Sequence, residues 1–183
     1  MKKFLTLMAI SVFLLTGCGP SNGTQSQNDG QNLVYTDPAY KFSFSYSKEW
    51  KVTPFEKIIS LPVPYMKALQ MTKINGPYVN IAPTYIAVVQ GTDFQKIVQK
   101  ITEAHAGEMD GQKGFTEVSQ TQEININNHS GYKGQFKDQI GGTEYFYVFP
   151  IPNRNLMLYL QYPVLEGHNQ INEAIVNSVN FNT

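Results

Sequence analysis

The chain has 183 residues, of which 42% are hydrophobic and 13% aromatic, a length and composition that suit one packed domain rather than two. Lysine plus arginine and aspartate plus glutamate are equal at 14 each, so the strongly basic surface that nucleic acid requires is not expected. Loss of the first 17 residues, which hold two lysines and no acid, would leave 12 basic against 14 acidic side chains.

The N-terminal segment has the pattern of a secretory signal peptide. Lys2 and Lys3 are followed by an uncharged apolar stretch at residues 4–15. That stretch is shorter than the ~20 residues that a helix needs to cross a bilayer. We therefore predict a signal peptide over residues 1–17 rather than a permanent membrane span.

The single cysteine of the chain follows this segment directly. Residues 15–18, Leu-Thr-Gly-Cys, resemble a bacterial lipobox. The resemblance implies cleavage between Gly17 and Cys18 and a diacylglyceryl group on the Cys18 thiol. Two or more acyl chains, at ~0.8 kcal/mol for each buried methylene, hold a protein stably at a bilayer. We therefore predict a lipid-anchored protein on the extracytoplasmic face of the cell membrane.

The next residues are polar. Residues 19–32 carry no large apolar side chain, so burial cannot offset the entropy of ordering them. We predict that residues 18–32 are the lipidated cysteine and a flexible linker, with a reach of about 20 Å. A single folded domain is then expected over residues 33–183.

Two strand patterns open this domain. Residues 40–47, YKFSFSYS, alternate aromatic and polar side chains, which is typical of a strand with one buried face. The segment WKVTPF at residues 50–55 is expected to pair back on that strand as a hairpin. Residues 78–89 are apolar and β-branched, and Pro83 within them predicts an edge strand, a bulge or two separate strands.

Two helices are predicted from apolar residues spaced three and four apart. The first covers residues 92–106, with Thr92 as its N-cap and Gly107 as its stop. The second lies within residues 167–181. Its expected apolar stripe consists of Ile171, Ala174, Ile175 and Ser178.

Between the helices the strand pattern returns. Residues 117–127 alternate, residues 127–131 read as a turn, and residues 143–163 predict a long hairpin whose two strands are apolar on both faces. Strands of that kind are covered on both sides. The sequence therefore predicts an α+β fold, an antiparallel β-sheet with helices packed on its faces.

The order of these elements resembles the PsbP-like family, named after an extrinsic subunit of the photosynthetic oxygen-evolving complex. The residues that carry the resemblance are YKFSFSYSKEWKV at 40–52 and INEAIVNSVNF at 171–181. The resemblance implies an α/β/α sandwich and a non-catalytic accessory or binding domain. No metal or chloride ligand of the plant subunit can be matched to this chain, so none is carried over.

The motifs of the chain favour a protein without catalytic or cofactor sites. His105, His129 and His168 lie far apart without metal-ligand spacing, and surface histidines are the simpler interpretation. The chain contains no Gly-x-Ser-x-Gly and no nucleotide-binding pattern. We predict no cofactor, no metal and no enzymatic activity. An enzyme with a site assembled from distant residues stays as a weaker alternative.

A candidate surface for a ligand or a protein partner is aromatic. Tyrosine combines a flat ring with a polar tip, so tyrosines can line a groove for an apolar ligand, although filling of the core is the commoner role. Residues 55–75 contain two prolines and no clean period, and they are candidates for a loop or lid. The favoured function is a binding or accessory module at the cell envelope, and the alternative is a carrier of a lipid or other apolar small molecule. The candidate residues are Tyr65, Met66, Tyr145, Tyr147, Tyr159 and Tyr162.

Overall fold

A computed structural model describes residues 23–28, 32–56, 58, 61, 63–75, 83–106, 108–109, 112–113, 117–118, 121–137, 142–165 and 168–182. The described elements are β1 Thr24–Asn28, β2 Asn32–Asp37, β3 Phe42–Ser47, β4 Trp50–Pro54, β5 Tyr65–Lys73, β6 Thr84–Gln90, α1 Phe94–Ala106, β7 Glu108–Met109, β8 Gln112–Lys113, β9 Glu117–Val118, β10 Gln122–Ile126, β11 His129–Lys137, β12 Thr143–Pro150, β13 Leu156–Pro163, α2 Asn169–Asn177 and β14 Asn180–Phe181. The predicted signal peptide, Gly17 and Cys18 lie outside the described residues.

The strands form two main antiparallel sheets. The small sheet has the order β1-β2-β3-β14, and the large sheet has the order β10-β11-β12-β13-β6-β5-β4, with β9 also paired to β11. A short pair, β7 and β8, stands apart from both. The predicted hairpin of β12 and β13 is confirmed, with Tyr145 opposite Tyr162. The turn before β11 is also confirmed, because Asn127 and Asn128 both adopt the positive φ that a two-residue hairpin turn requires.

Both faces of the large sheet are buried. The inner face forms one apolar cluster with the aromatic side of the small sheet and with Ile175 and Val176 of α2. The outer face forms a second cluster that includes Phe94 and Ile97 of α1 and residues of the segment before β5. We refer to these two groups as the inner cluster and the outer cluster. The two-sided apolar pattern of β12 and β13 follows from their position between them.

Three expectations about strands require correction. The segment after β3 does not pair back on it: β4 joins the large sheet, with Trp50 opposite Lys73. Trp50 is buried in the inner cluster, where it faces the aromatic side of β3 from the opposite sheet instead of lying beside β3 in the same sheet. β6 is an interior strand between β13 and β5, so the alternative of an edge strand is wrong, and Pro83 is tolerated because it precedes the first paired residue, Thr84. Residues 78–82 of the predicted strand segment lie outside the described residues.

The third correction concerns residues 55–75, expected as a loop or lid. Their second half is β5, an interior strand of the large sheet. Its hydrophobic period is obscured for two reasons. Buried side chains such as Ala68 and Leu69 point to opposite faces of the sheet, so both faces of β5 are apolar. In addition, the register shifts at a bulge between Tyr65 and Lys67.

The predicted flexible linker is also partly wrong. Thr24–Asn28 is an edge strand that pairs with β2 from Thr24 opposite Thr36 to Asn28 opposite Asn32. Its polar residues need no buried face, because backbone hydrogen bonds to β2 fix the strand. Gly23 lies against the ring of Tyr35, where no space remains for a side chain.

The two predicted helices are present with different details. Asp93 caps α1 in place of Thr92, since its Oδ1 accepts a hydrogen bond from the Lys96 N–H at 3.1 Å. In α2 the buried residues are Asn172, Ile175 and Val176, whereas Ala174 is exposed. The stripe is rotated because Val179, just beyond the helix, also enters the inner cluster. Among the described residues, neither helix is long and apolar enough to cross a membrane.

Candidate functional site

The six candidate residues do not line one groove. Tyr147 and Tyr162 belong to the inner cluster and Tyr159 belongs to the outer cluster, because successive residues of a strand point to opposite faces. Tyr65 and Met66 begin β5 near Val89, at the opposite end of the large sheet from Tyr145 and Tyr162. Half-buried Tyr145 and exposed Met66 therefore belong to different surfaces.

Three of these tyrosines do come together around a lysine. The Lys133 ammonium lies 4.3 Å from the ring centre of Tyr145 and 5.3 Å from that of Tyr147. The Tyr147 and Tyr162 hydroxyls are 3.1 Å apart, and Tyr145 contacts the Tyr162 ring edge-on. Glu173 of α2 closes the group, with Oε1 at 3.8 Å from the Lys133 nitrogen. We call these five residues the tyrosine–lysine cluster.

Backbone register explains why these side chains meet. In the antiparallel ladders Lys133 stands opposite Tyr147, and Tyr145 stands opposite Tyr162. Directly opposed residues share a face, so all four point to the inner side of the sheet. α2 then places Glu173 beside them. The sequence reasoning missed Lys133 and Glu173, because cross-strand register and helix docking are not visible in a single strand pattern.

The environment of the cluster favours the cationic form of Lys133 and the neutral phenol form of Tyr162. Burial raises the pKa of Tyr162 far above the ordinary tyrosine value, and the hydrogen bond with Tyr147 adds to the rise. Burial alone would lower the pKa of Lys133, but the hydrogen bond with Tyr147 and the charge of Glu173 outweigh it, so that pKa is raised. At neutral pH the arrangement therefore offers cation–π and hydrogen-bonding contacts.

Part of the cluster is accessible to a partner. Lys133 is 27% exposed and Glu173 is 49% exposed, whereas Tyr147 and Tyr162 are buried beneath them. Tyr145, which contacts both Lys133 and Tyr162, is half-buried. The surface of the cluster therefore consists of a charged pair with a tyrosine ring at its side.

Tyr159 has a structural role in a polar network of the outer side. Its hydroxyl donates to Gln161 Oε1 at 2.7 Å, and Gln161 Nε2 donates to Glu144 Oε2. Complete burial raises the pKa of Tyr159 well above its ordinary value, and the nearby charge of Glu144 acts in the same direction. This phenol is therefore a hydrogen-bond donor within the fold.

A second ionic group joins the two sheets. The fully buried carboxylate of Asp37, at the end of β2, accepts a hydrogen bond at 2.6 Å from Lys67 of β5. Its other oxygen accepts the backbone N–H groups of Ala39 and Tyr40, both at 3.0 Å. The Tyr35 hydroxyl donates at 3.3 Å to the oxygen that also binds Lys67. Every described contact of this carboxylate serves the turn or the junction between sheets.

The described histidines do not converge. His129 lies 3.3 Å from the side-chain oxygen of Asn180 and edge-on to Phe181, while buried His168 lies edge-on to Trp50. The side chain of His105 is outside the described part of the chain. Within that part, no group of three His, Cys, Asp or Glu side chains is arranged to hold a metal ion.

Among the side chains that the structure describes, two large apolar ones are exposed, at opposite ends of β5. Met66 is 60% exposed and borders a surface depression of about 430 Å³, together with Arg154 and Leu156. Ile74 is 50% exposed and borders a depression of about 460 Å³, together with Lys48 and Glu49. Ile74 carried no sequence signal, because an isolated isoleucine after Lys73 belongs to no apolar period.

No protein-family model matches the chain, and no curated protein matches it in sequence. Solved structures do match. The cyanobacterial PsbP protein (CyanoP) of Synechocystis sp. PCC 6803 aligns over 91% of this chain and 98% of its own, at 10% identity and a TM-score of 0.57. The Ran-binding protein Mog1p of Saccharomyces cerevisiae aligns over 82% and 95%, at 7% identity and a TM-score of 0.50.

A weaker likeness is to LpqN of Mycobacterium tuberculosis, a protein involved in cell envelope biogenesis. It covers 88% of this chain and 91% of its own, at 16% identity and a TM-score of 0.45. Identities this low show the fold alone. The chain has a PsbP-like fold of mostly antiparallel sheets with two helices, and the expected resemblance is confirmed at that level.

Proposed function

We propose that the chain is a membrane-anchored, extracytoplasmic lipoprotein that acts as a non-catalytic binding or accessory module. The anchor is supported by the sequence up to Cys18, where a basic start, a short apolar stretch and Leu-Thr-Gly-Cys follow in order. In this proposal the two helices pack on the faces of the large sheet, and the domain recognises a protein partner at the cell envelope.

The observation that carries the binding role is the tyrosine–lysine cluster. It presents a protonated lysine, a carboxylate and a tyrosine ring at the surface, and Lys133 and Tyr145 lie against the buried rings of Tyr147 and Tyr162. Fixed side chains lose little entropy on binding, and tyrosine is enriched in binding surfaces. A partner that offers a carboxylate or a ring to Lys133 and Tyr145 would match this surface.

The non-catalytic part is supported by how the described polar groups are used. The Asp37 carboxylate accepts bonds from Lys67, Tyr35 and the following turn. The hydroxyl of Tyr159 is bound to Gln161. These groups stabilise the fold, so none of them is placed as a general base beside a nucleophile.

The carrier alternative receives less support. A carrier needs a continuous apolar cavity of a few hundred cubic ångströms between the layers. The described inner cluster is filled by stacked aromatic rings. The ring centres of Tyr35 and Phe44 are 5.1 Å apart, and those of Tyr147 and Tyr162 are 5.9 Å apart. Mass spectrometry of the purified protein tests this alternative directly, since a carrier would retain a stoichiometric apolar ligand.

The anchor is tested by cell fractionation of wild type and Cys18→Ala, with metabolic labelling by a clickable fatty acid. We expect the wild type in membranes with incorporated label, and the variant without label and either released or with its signal uncleaved. Equal fractionation and equal labelling of the two proteins would refute the anchor.

The binding role is tested by photocrosslinking in intact cells. A benzoylphenylalanine residue replaces Tyr145 in the cluster, and a matched variant carries it at Tyr65, which is also half-buried but lies at the other end of the sheet. We expect a discrete protein adduct from position 145 that Lys133→Gln diminishes. The same adduct from both positions, or none from position 145, would contradict the proposal.

A further inference from the structure

The register of the sheets gives the molecule two distinct ends. At one end lie the turn after β2, the start of β5 and the turn between β12 and β13. Arg154 of the last turn donates to the backbone oxygen of Ala39 at 2.6 Å, which joins the two sheets there. We call this the proximal end. The distal end holds Glu49, whose backbone oxygen accepts the N–H of Ile74 at 2.7 Å.

The folded chain begins at the proximal end. Thr24 stands opposite Thr36, near the end of β2, and Gly23 lies on the ring of Tyr35. The Tyr35 hydroxyl contacts Asp37, and Asp37 binds Lys67, the neighbour of Met66. A continuous series of contacts therefore leads from the first described residue to the start of β5.

The distance from this point to the proposed anchor is short. Five residue steps join Cys18 to Gly23, and a chain of that length spans at most ~18 Å even when fully extended. The nine residues of β5 cover about 30 Å between the two ends. A lipid on Cys18 therefore reaches the proximal end easily, whereas the distal end lies farther from the membrane.

The proximal end also has the surface that a bilayer would contact. The bulge after Tyr65 turns Met66 outward, and its side chain borders the same depression as Arg154. Cations outnumber acids here, which favours anionic lipid head groups. Apart from the paired Asp37 and Lys67, the described charged residues of this end and of the adjoining start of α1 are Lys41, Lys96, Lys100 and Arg154 against Glu56 and Asp93.

We infer that the proximal end lies against the membrane, with Met66 among the lipid head groups and Arg154 beside a lipid phosphate. The inference rests on the proposed lipid anchor and adds an orientation to it. Tyr162 and Tyr145 lie toward the distal end of the large sheet, since β13 begins at the proximal turn and ends at Pro163. The tyrosine–lysine cluster then faces away from the bilayer, where a partner can reach it.

The experiment uses the acylated full chain in vesicles of equal parts phosphatidylglycerol and phosphatidylethanolamine. Met66→Cys and Ile74→Cys are labelled separately with an environment-sensitive fluorophore, because both positions are exposed apolar side chains at opposite ends. We expect a blue shift and quenching by brominated lipid at position 66, and neither at position 74. Arg154→Glu should reduce the quenching at position 66, whereas Lys48→Glu at the distal end should leave it unchanged.

The outcomes separate this inference from the proposed anchor. Equal quenching at both positions, or quenching at position 74 alone, would overturn the orientation while the protein remains in the membrane fraction. Failure of the anchor proposal would be recognised before the vesicle experiment, because the mass of the wild-type chain would then show no acyl group. The same labelled variants carrying Cys18→Ala, purified from the released fraction, provide the baseline in solution. An identical blue shift there would show that position 66 is shielded by protein and not by lipid.

Discussion

The two faces of the large sheet are equally buried but are covered in different ways. The inner face meets the small sheet, to which it is joined by the ion pair of Lys67 with Asp37, and the small sheet is in turn bonded to the end of α2 through Ser45 and Ser178. The outer cluster takes Phe94 and Ile97 from α1 and apolar side chains from the segment before β5. We conclude that the inner face should govern global stability, whereas the outer face should tolerate local opening.

The largest effect is expected from removing one ring on each face. Phe149 faces the inner cluster and Phe146 faces the outer cluster, both are fully buried, and both lie over a glycine of β11. Each Phe→Ala change should cost about 3–5 kcal/mol in urea unfolding. In hydrogen exchange, Phe149→Ala should expose amides of β3, while Phe146→Ala should expose those of α1. Identical exchange patterns in the two variants would contradict the conclusion that the inner and outer faces differ in how they stabilise the fold.

The next effect concerns the ionic tie between the sheets. Asp37→Asn leaves Lys67 without its carboxylate and should cost about 2–3 kcal/mol. The matched control is Glu49→Gln, because Glu49 pairs with Lys73 at 3.9 Å on the exposed surface. That change should cost less than about 1 kcal/mol. Chemical denaturation measures the free energy of unfolding of both variants. Equal losses would show that the buried Asp37–Lys67 pair contributes no more to stability than the exposed Glu49–Lys73 pair.

A smaller effect is expected at the contact between α2 and the small sheet. The Ser178 hydroxyl accepts the backbone N–H of Ser45 at 2.7 Å and lies 2.7 Å from the backbone oxygen of Ile175. Ser178→Ala should therefore lower the free energy of unfolding by about 1 kcal/mol. The exposed Ser130→Ala serves as the control, and a thermal melt that ranks the two variants equally would contradict this assignment.

The smallest effect at neutral pH is expected from the Tyr162 hydroxyl, whose importance should appear in alkali. Burial raises the pKa of Tyr162 above the ordinary value of 10.0. The folded state then keeps a proton that the unfolded state loses, so the contribution of Tyr162 to the free energy of unfolding is fully present below about pH 10 and is lost as the pH rises further. Tyr162→Phe should reduce that alkaline slope. Unfolding curves across the alkaline range test this, and an unchanged slope would argue against the buried phenol as its source.

The strands were predictable where one residue type alternates with another. The aromatic face of β3 and the two-sided burial of β12 and β13 follow from side-chain direction, which has a period of two along the chain. The partner of a strand was not predictable in the same way. β4 follows β3 after a two-residue turn, yet it pairs with β5, and Trp50 is buried in the inner cluster from that position.

The candidate site was predictable only in part. Tyrosines indicate a surface that combines packing with polar contacts, and Tyr145, Tyr147 and Tyr162 do meet. Tyr159 does not join them, since three residues along a strand reverse the face. Lys133 and Glu173 enter through cross-strand register and helix docking, which depend on residues far apart in the chain.

The sequence by itself determined local matters: the two helices, the hairpin of β12 and β13, the alternation that marks buried faces, and the short N-terminal motif ending at Cys18. These depend on chemical character within a few neighbouring residues. Tertiary structure decided what covers each face, the pairing of polar β1 with β2, and which end carries Met66. The physical reason is that such choices are settled by competition between distant segments for the same buried surface and the same backbone hydrogen bonds.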